Sequence, residues 1–421
     1  MTSKVGSWKF VLVALALVAM GTTQLAAKTL CVNPGGTGGC FSKINDAIAA
    51  AKPKDIIDVK AGTYKENVVV NKSLSLIGAG AATTIVDATG LSTAFYIDGL
   101  DNGGLSKIVI QGFTAENANF EGIAITNASD VVIWGNTVTN NDLSLDVKNS
   151  TCPGLPAWET AEGFDCGEGI HLSGVTYSTI ANNVSQGNSG GILISDETGI
   201  TQYNVIEGNT FSKNVYDCGI TIPSHPPYNA TNPFGVLHNT VVGNTSSGNG
   251  TAVAGAGAGI LLADAVPLAN VSGNVLANNT LTNNGLPGVT IHAHAANEVI
   301  SDNQIVGNTI KNDGPDVGDA ATPGPTGINV FGVSAESNNL ISQNTISKEA
   351  YDIVTNTPAL VRVHLNNLEG GSGVVGVDNI GAGTVDATQN YWGCSKGPKD
   401  SACSSVSGSG ITYNPYLKKV F

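Results

Sequence analysis

Arginine occurs once in this chain of 421 residues, at Arg362, and charged side chains make up only 12% of it. Between Lys148 and Lys311 the one basic side chain other than histidine is Lys213, and the formal net charge is -14. Such a stretch cannot neutralise a row of phosphates, which argues against nucleic acid and against an anionic lipid surface as partners. Methionine occurs only at Met1 and Met20, so a thioether site for Cu(I) is unavailable to the rest of the chain. No Cys-x-x-Cys pair occurs, which argues against a four-cysteine metal site. Apolar runs are short: the longest, Phe10 to Met20, is too brief to span a bilayer.

That run follows Lys4 and Lys9 and leads to Ala26-Ala27, the layout of an export signal with a cleavage site before Lys28. Residues 1–27 are therefore expected to be a signal peptide. Residues 28–421 are expected to be a secreted or periplasmic monomer with no membrane span. Seven cysteines suit an oxidising compartment. Proximity pairs Cys31 with Cys40, Cys152 with Cys166 and Cys394 with Cys403, leaving Cys218 as a small buried hydrophobe.

What is abundant is glycine and asparagine in a recurring order. Asn136, Asn183, Asn209, Asn244, Asn279, Asn308 and Asn344 each open a short polar-apolar step, as in Gly208-Asn209-Thr210-Phe211. Between them lie apolar strands opened by glycine, among them Gly169-Ile170-His171-Leu172, Gly191-Ile192-Leu193-Ile194 and Gly259-Ile260-Leu261-Leu262. Their period of two predicts one inward and one outward face. The inward rows are expected to be Ile170, Ile192, Ile220, Ile260, Val289, Ile328 and Leu172, Ile194, Ile222, Leu262, Ile291, Val330. A single coil cannot bury its apolar face, but stacked coils can, and stacked asparagines can bond from coil to coil. The expected fold class is thus all-β: one right-handed parallel β-helix. Ser42 to Lys52 forms a capping helix within an N-terminal cap of about residues 28–55. A closing segment of about residues 389–421 covers the other end. Insertions are expected near 142–164, 223–238 and 312–325.

Asp55 to Val68 (DIIDVKAGTYKENV), Lys72 to Gly80, and Asn390-Tyr391-Trp392-Gly393 with Gly397-Pro398 resemble the first and closing coils of pectin-lyase-like β-helix proteins. The body is similar to bacterial β-helix repeat proteins, including the NosD-type copper-binding ones. The resemblance implies the fold and spans essentially residues 28–421, but the fold hosts lyases, hydrolases, esterases, epimerases and pure binding proteins; a polysaccharide is the expected partner. The resemblance transfers no catalytic residue: the basic residues of pectate lyases and the signature motifs of polygalacturonases and alginate epimerases are absent.

Strand register supplies a site independently. One column holds Gly174, Asp196, Ser224, Asp264, Ala293 and Gly332, the next holds Val175, Glu197, His225, Ala265, His294 and Val333, and the preceding one includes His292 and Phe331. With coils about 4.8 Å apart, Asp196 and Asp264 would stand roughly 9–10 Å apart on the outward face, near the upper end of the carboxylate spacing in inverting glycosidases. Asp196, His225 and Asp264 are thus the candidate acid–base groups, with His171, Glu197, His292, His294 and Phe331 as substrate contacts. Trp158, Tyr228 and Phe234 are further aromatics that could stack on sugar rings. The same side chains also fit other roles. The two aspartates could cap turns, the histidines could be solvent-exposed and idle, and together they could hold calcium or another divalent metal. The shortage of basic residues favours neutral sugars and ranks a glycoside hydrolase above a polysaccharide lyase or epimerase. The alternative is a non-enzymatic surface protein binding glycan or metal.

Overall fold

A computed structural model describes residues 27–160, 166–264, 266–333 and 338–420 of the chain. Residues 1–26, most of the expected signal peptide, lie outside it. Short parallel strands follow one another around a coil, and each pairs with its counterpart one coil away. Three sheets of 14, 12 and 11 strands and a fourth of four strands result. This is the right-handed parallel β-helix expected from the repeat.

The 12-stranded sheet carries the site. Its relevant strands are β1 (Ile170–Ser173), β2 (Ile192–Ser195), β3 (Ile220–Ser224), β4 (Ile260–Asp264), β5 (Val289–Ala293) and β6 (Thr326–Gly332). Both inward rows form as expected: Ile170 pairs with Ile192, then Ile220, Ile260, Val289 and Ile328 in turn. All of these are fully buried in the main core. The opening glycines exist because the corner has no room for a side chain. A Cβ on Gly219 would collide with the Ser246 hydroxyl and the Asn249 amide, and one on Gly191 with the Gly219 carbonyl.

The asparagines form the expected ladder. Asn183 Oδ1 accepts the backbone N–H of Asn136 at 2.9 Å, Asn209 accepts that of Asn183 at 2.9 Å, and Asn366 accepts that of Asn344 at 2.9 Å. The coils between these residues contain 47, 26 and 22 residues, yet the rung does not change. Two further ladders escaped the sequence reading. One runs through Asn204, Asn239, Asn274 and Asn303. The other runs through Asn141, Asn188, Asn214, Asn249 and Asn284 and ends on Asp313 and Glu349. Each rung satisfies buried backbone and amide groups that would otherwise be orphaned.

Helix α1 (Ile44–Ala50) buries Ile44, Ala47 and Ile48 against the first coils. It is shorter than the expected 42–52, because its N-terminus is held by another element: Glu66 accepts the N–H groups of Ile44 at 2.8 Å and Asn45 at 3.0 Å. At the far end the fully buried Trp392 plugs the core, with Tyr413 edge-on at 6.4 Å. The disulfides are Cys31–Cys40, Cys152–Cys166 and Cys394–Cys403, and Cys218 is a buried thiol.

Candidate functional site

The strand columns align as the sequence predicts: Asp196 stands beside Ser224, Ser224 pairs with Asp264, and Asp264 pairs with Ala293. Their sidedness is different. β3, β4 and β5 run five residues, so the inward-outward alternation continues one step further and brings this column inward. Ala293 enters the main hydrophobic core, and Asp196 and Asp264 are buried with it. The expectation that these two acids face outward is therefore corrected. Asp196 accepts the Ser224 hydroxyl at 2.6 Å and the His225 backbone N–H at 2.7 Å, and burial pushes its carboxyl up to about 7. Asp264 has no hydrogen-bond partner on either oxygen among the described residues. Burial, and then the Glu298 carboxylate, push it up to about 9.

The remaining candidates fall into two groups rather than one. In the first, His171 projects outward from β1 but lies under the insertion that Cys152–Cys166 closes, and it is fully buried. Its Nε2 is 2.8 Å from the Ser195 hydroxyl and its Nδ1 is 3.4 Å from Glu159. Glu197 accepts the Ser195 hydroxyl, the Ser173 hydroxyl at 2.9 Å, and the His225 Nδ1 at 2.7 Å. Burial works to raise the Glu197 carboxyl, but His225 and His171 outweigh it and hold the group well below the usual carboxylate range. Glu121, with Glu159 beside it, is driven the other way: burial and the second carboxylate raise it well above its usual value. Trp158 is part of this cover. It stacks on Tyr96 at 6.4 Å and tilts against the His171 ring at 5.3 Å, so it packs the network. His171 and Glu197 therefore do not reach an open surface, contrary to their expected place as substrate contacts. Tyr228 is exposed and Phe234 half-buried in their insertion.

The second group lies further along the sheet. His292 and His294, on alternate residues at the end of β5, share the outward face. The insertion at 312–325 folds back over them and brings Asp316 and Asp319. His292 Nε2 is 2.7 Å from Asp316 Oδ2 and His294 Nδ1 is 3.1 Å from the Asp264 carbonyl. Asp319 Oδ2 stands 3.7 Å from His292 Nδ1 and 3.5 Å from His294 Nε2. Asp316 also accepts the Asn329 amide at 3.2 Å. Burial works to raise Asp316, but the hydrogen bond and charge of His292 prevail and lower it. The Phe331 ring packs edge-on against His292 at 5.9 Å.

Between the two groups is a cleft of about 310 Å3. Its floor is the outward face of β3 and β4, with Thr221, Pro223, Leu261 and Ala263. His225 stands at the β3 end; His292 and His294 stand at the β5 end, under Asp319. Neither Asp196 nor Asp264 lines it. From the 312–325 insertion only Asp319 lines it. Residues 253–257, a glycine-alanine segment with no sequence signal of a wall, form one side, and residues 226–238 take no part. Asp316 and Asp319 were also missed. Their one trace is a pair of acids three apart in a Gly- and Pro-rich insertion. Asp217 lines the cleft and accepts the Thr221 hydroxyl at 3.3 Å, whereas Glu168 is buried, and Asp165 lies outside the described residues.

Two family models match this sequence: a right handed beta helix region over residues 76–266 and a protein of unknown function, DUF1565, over residues 228–390. No curated protein matches it. Among solved structures, DFA-IIIase from Arthrobacter chlorophenolicus A6, without its lid and in complex with GF2, superposes with a TM-score of 0.57 at 14% identity. That match covers 90% of this chain and 99% of the other. ORF18 of Geobacillus virus E2 superposes at 0.46 with 13% identity, over 89% of this chain and 56% of that one, so the match spans little more than half of its length. An alginate lyase from Paenibacillus sp. str. FPU-7 matches at 0.40 with 13% identity, over 91% of this chain and 99% of that one.

Proposed function

We propose that this chain, which has the right-handed β-helix of the pectin-lyase-like proteins, is an exported carbohydrate-active protein that binds a glycan in the cleft over β3 to β5. His225 is its acid–base group. The observation that carries the reading is the His225–Glu197 pair at the cleft end. Glu197 lies 2.7 Å from Nδ1 and carries the negative charge. The ionised carboxylate stabilises a proton on Nδ1 of a ring that lines the cleft, as an acid–base imidazole requires.

Several features support a glycan. The cleft opens to solvent on a sheet face and is not an enclosed hole. It combines an apolar floor with acceptors such as Asp217, as a sugar ring with hydroxyls on its rim requires. Among the described residues no lysine or arginine lines it, which favours a neutral sugar over a uronate. Three disulfides fit an oxidising compartment and hence export.

The test is a glycan depolymerisation screen of the purified protein beside His225→Gln and Asp264→Asn. New reducing ends that disappear with His225→Gln and persist with Asp264→Asn are the expected result. Binding on a glycan array without turnover would reduce the cleft to a lectin-like site and remove the role given to His225. Turnover lost with Asp264→Asn in a folded protein would return the acid–base function to the buried column.

A further inference from the structure

The two histidines at the β5 end are arranged in a way that sugar binding does not require. Each has one ring nitrogen committed to an acceptor behind it: His292 Nε2 to Asp316 at 2.7 Å, and His294 Nδ1 to the Asp264 carbonyl at 3.1 Å. A neutral imidazole that donates from one nitrogen presents a lone pair on the other. Those other nitrogens, His292 Nδ1 and His294 Nε2, both point at Asp319 Oδ2, at 3.7 and 3.5 Å. The three donor atoms all lie within 4.8 Å of one another. Donors around a four-coordinate ion with bonds of about 2.0–2.1 Å stand about 3.3 Å apart, so a small inward movement of the exposed Asp319 and His294 closes the set.

We infer that His292 Nδ1, His294 Nε2 and Asp319 form a binding site for a zinc-class divalent transition metal ion, open toward the cleft. The donor set of two imidazoles and one carboxylate suits such an ion better than calcium, which takes six to eight oxygens. Asp316 is the outer partner that orients His292, and the Asp264 carbonyl does the same for His294. His292 and the 312–325 insertion bury the back of the site, while His294, Asp319 and the cleft leave its front open. The front position would be taken by water or by a hydroxyl of whatever occupies the cleft. Glu121, Glu159 and His171 bring donors equally close but are wholly buried, with no such open side. The inference does not depend on the glycan reading, since the ion can be titrated with the cleft empty.

The experiment is a titration of the purified, chelator-stripped protein with Zn2+ against a competing chelator, repeated with Co2+ to read the d–d absorption of the bound ion. His294→Ala and Asp319→Asn alter exposed residues and leave the core intact. His238→Ala, at the exposed stack with Tyr203, is the control. The expected result is one Zn2+ per chain and a tetrahedral cobalt spectrum. Affinity should fall more than tenfold in His294→Ala and Asp319→Asn, fall roughly 10–100-fold in Asp316→Asn through loss of the outer partner, and stay unchanged in His238→Ala. Binding that survives both His294→Ala and Asp319→Asn would place the ion elsewhere and overturn the inference. So would no binding by a folded wild-type protein.

Discussion

Asn284 donates both its backbone N–H and its side-chain amide to one oxygen of Asp313, each at 2.8 Å. Here the ladder that begins at Asn141 changes from amides to acids, and it ends when Asp313 N–H donates to Glu349 at 3.0 Å. The N–H groups donated to these two acids favour their ionised forms, but burial, and for Asp313 the neighbouring Glu349 carboxylate, outweigh them. Burial accordingly raises Asp313 well above its usual value and pushes Glu349 up to about 7.

Groups whose pKa is raised on folding contribute stability that is fully present below their unfolded values near 4 and is lost as pH rises through the folded values. Asp313→Asn is therefore expected to be nearly neutral at pH 4 and to stabilise the protein at pH 8 by roughly 1–3 kcal/mol. Urea unfolding midpoints at the two pH values measure this. An equal effect at both would show that Asp313 is ionised in the folded state.

Asp264→Asn follows the same logic with a wider window, from about pH 4 to the folded value of about 9. It should raise thermal stability at pH 8 more than at pH 5 and leave glycan turnover unchanged. Scanning calorimetry supplies the first reading and the reducing-end assay the second.

Replacing Asn244 by alanine removes the acceptor of the Asn209 backbone N–H at 2.9 Å and side-chain amide at 3.0 Å. It also removes the donor to the Ile206 carbonyl at 2.9 Å and to Asn279 at 3.0 Å. With buried orphans at about 1–3 kcal/mol each and some relaxation, the expected cost is roughly 2–5 kcal/mol. Gln304→Ala, at an exposed strand residue, should stay within about 0.5 kcal/mol. Chemical denaturation of the pair tests whether the ladder carries stability.

His225→Gln should lower glycan turnover by roughly 10²–10⁴-fold, the usual contribution of a positioned acid–base group. Glu197→Gln should lower it too and move its pH profile, because the carboxylate sets the charge of the imidazole. Rates measured across pH 4–9 separate the two effects from a simple loss of fold.

The parts of this molecule legible in its sequence are those with a period. Gly-Ile steps and alternating strands determine the inward rows, and the columns through Asp196, Ser224 and Asp264 align as the spacing predicts. The side on which that column lies was not legible. Whether a strand ends after four residues, as β2 does, or five, as β3 does, depends on where the following turn packs. Asp316 and Asp319 were hidden for a related reason. An insertion has no repeat to set its register, and only the folded chain shows that it returns to His292. Trp158 read as a free aromatic because nothing local reveals that its insertion closes over Tyr96 and His171.

The insertions at 142–166 and 250–258 leave the coil just after positions of the ladder through Asn141 and Asn249, and that at 312–325 spans its position at Asp313. The rungs on either side keep their length whether the intervening coil has 22 residues or 47. Length added at that corner is thus mechanically uncoupled from the spine. The 250–258 side of the cleft can therefore vary in length without disturbing the rungs beneath His225 and His292. What the cleft holds is thus set apart from what folds the chain, and a new segment grafted after Asn249 changes the first without touching the second.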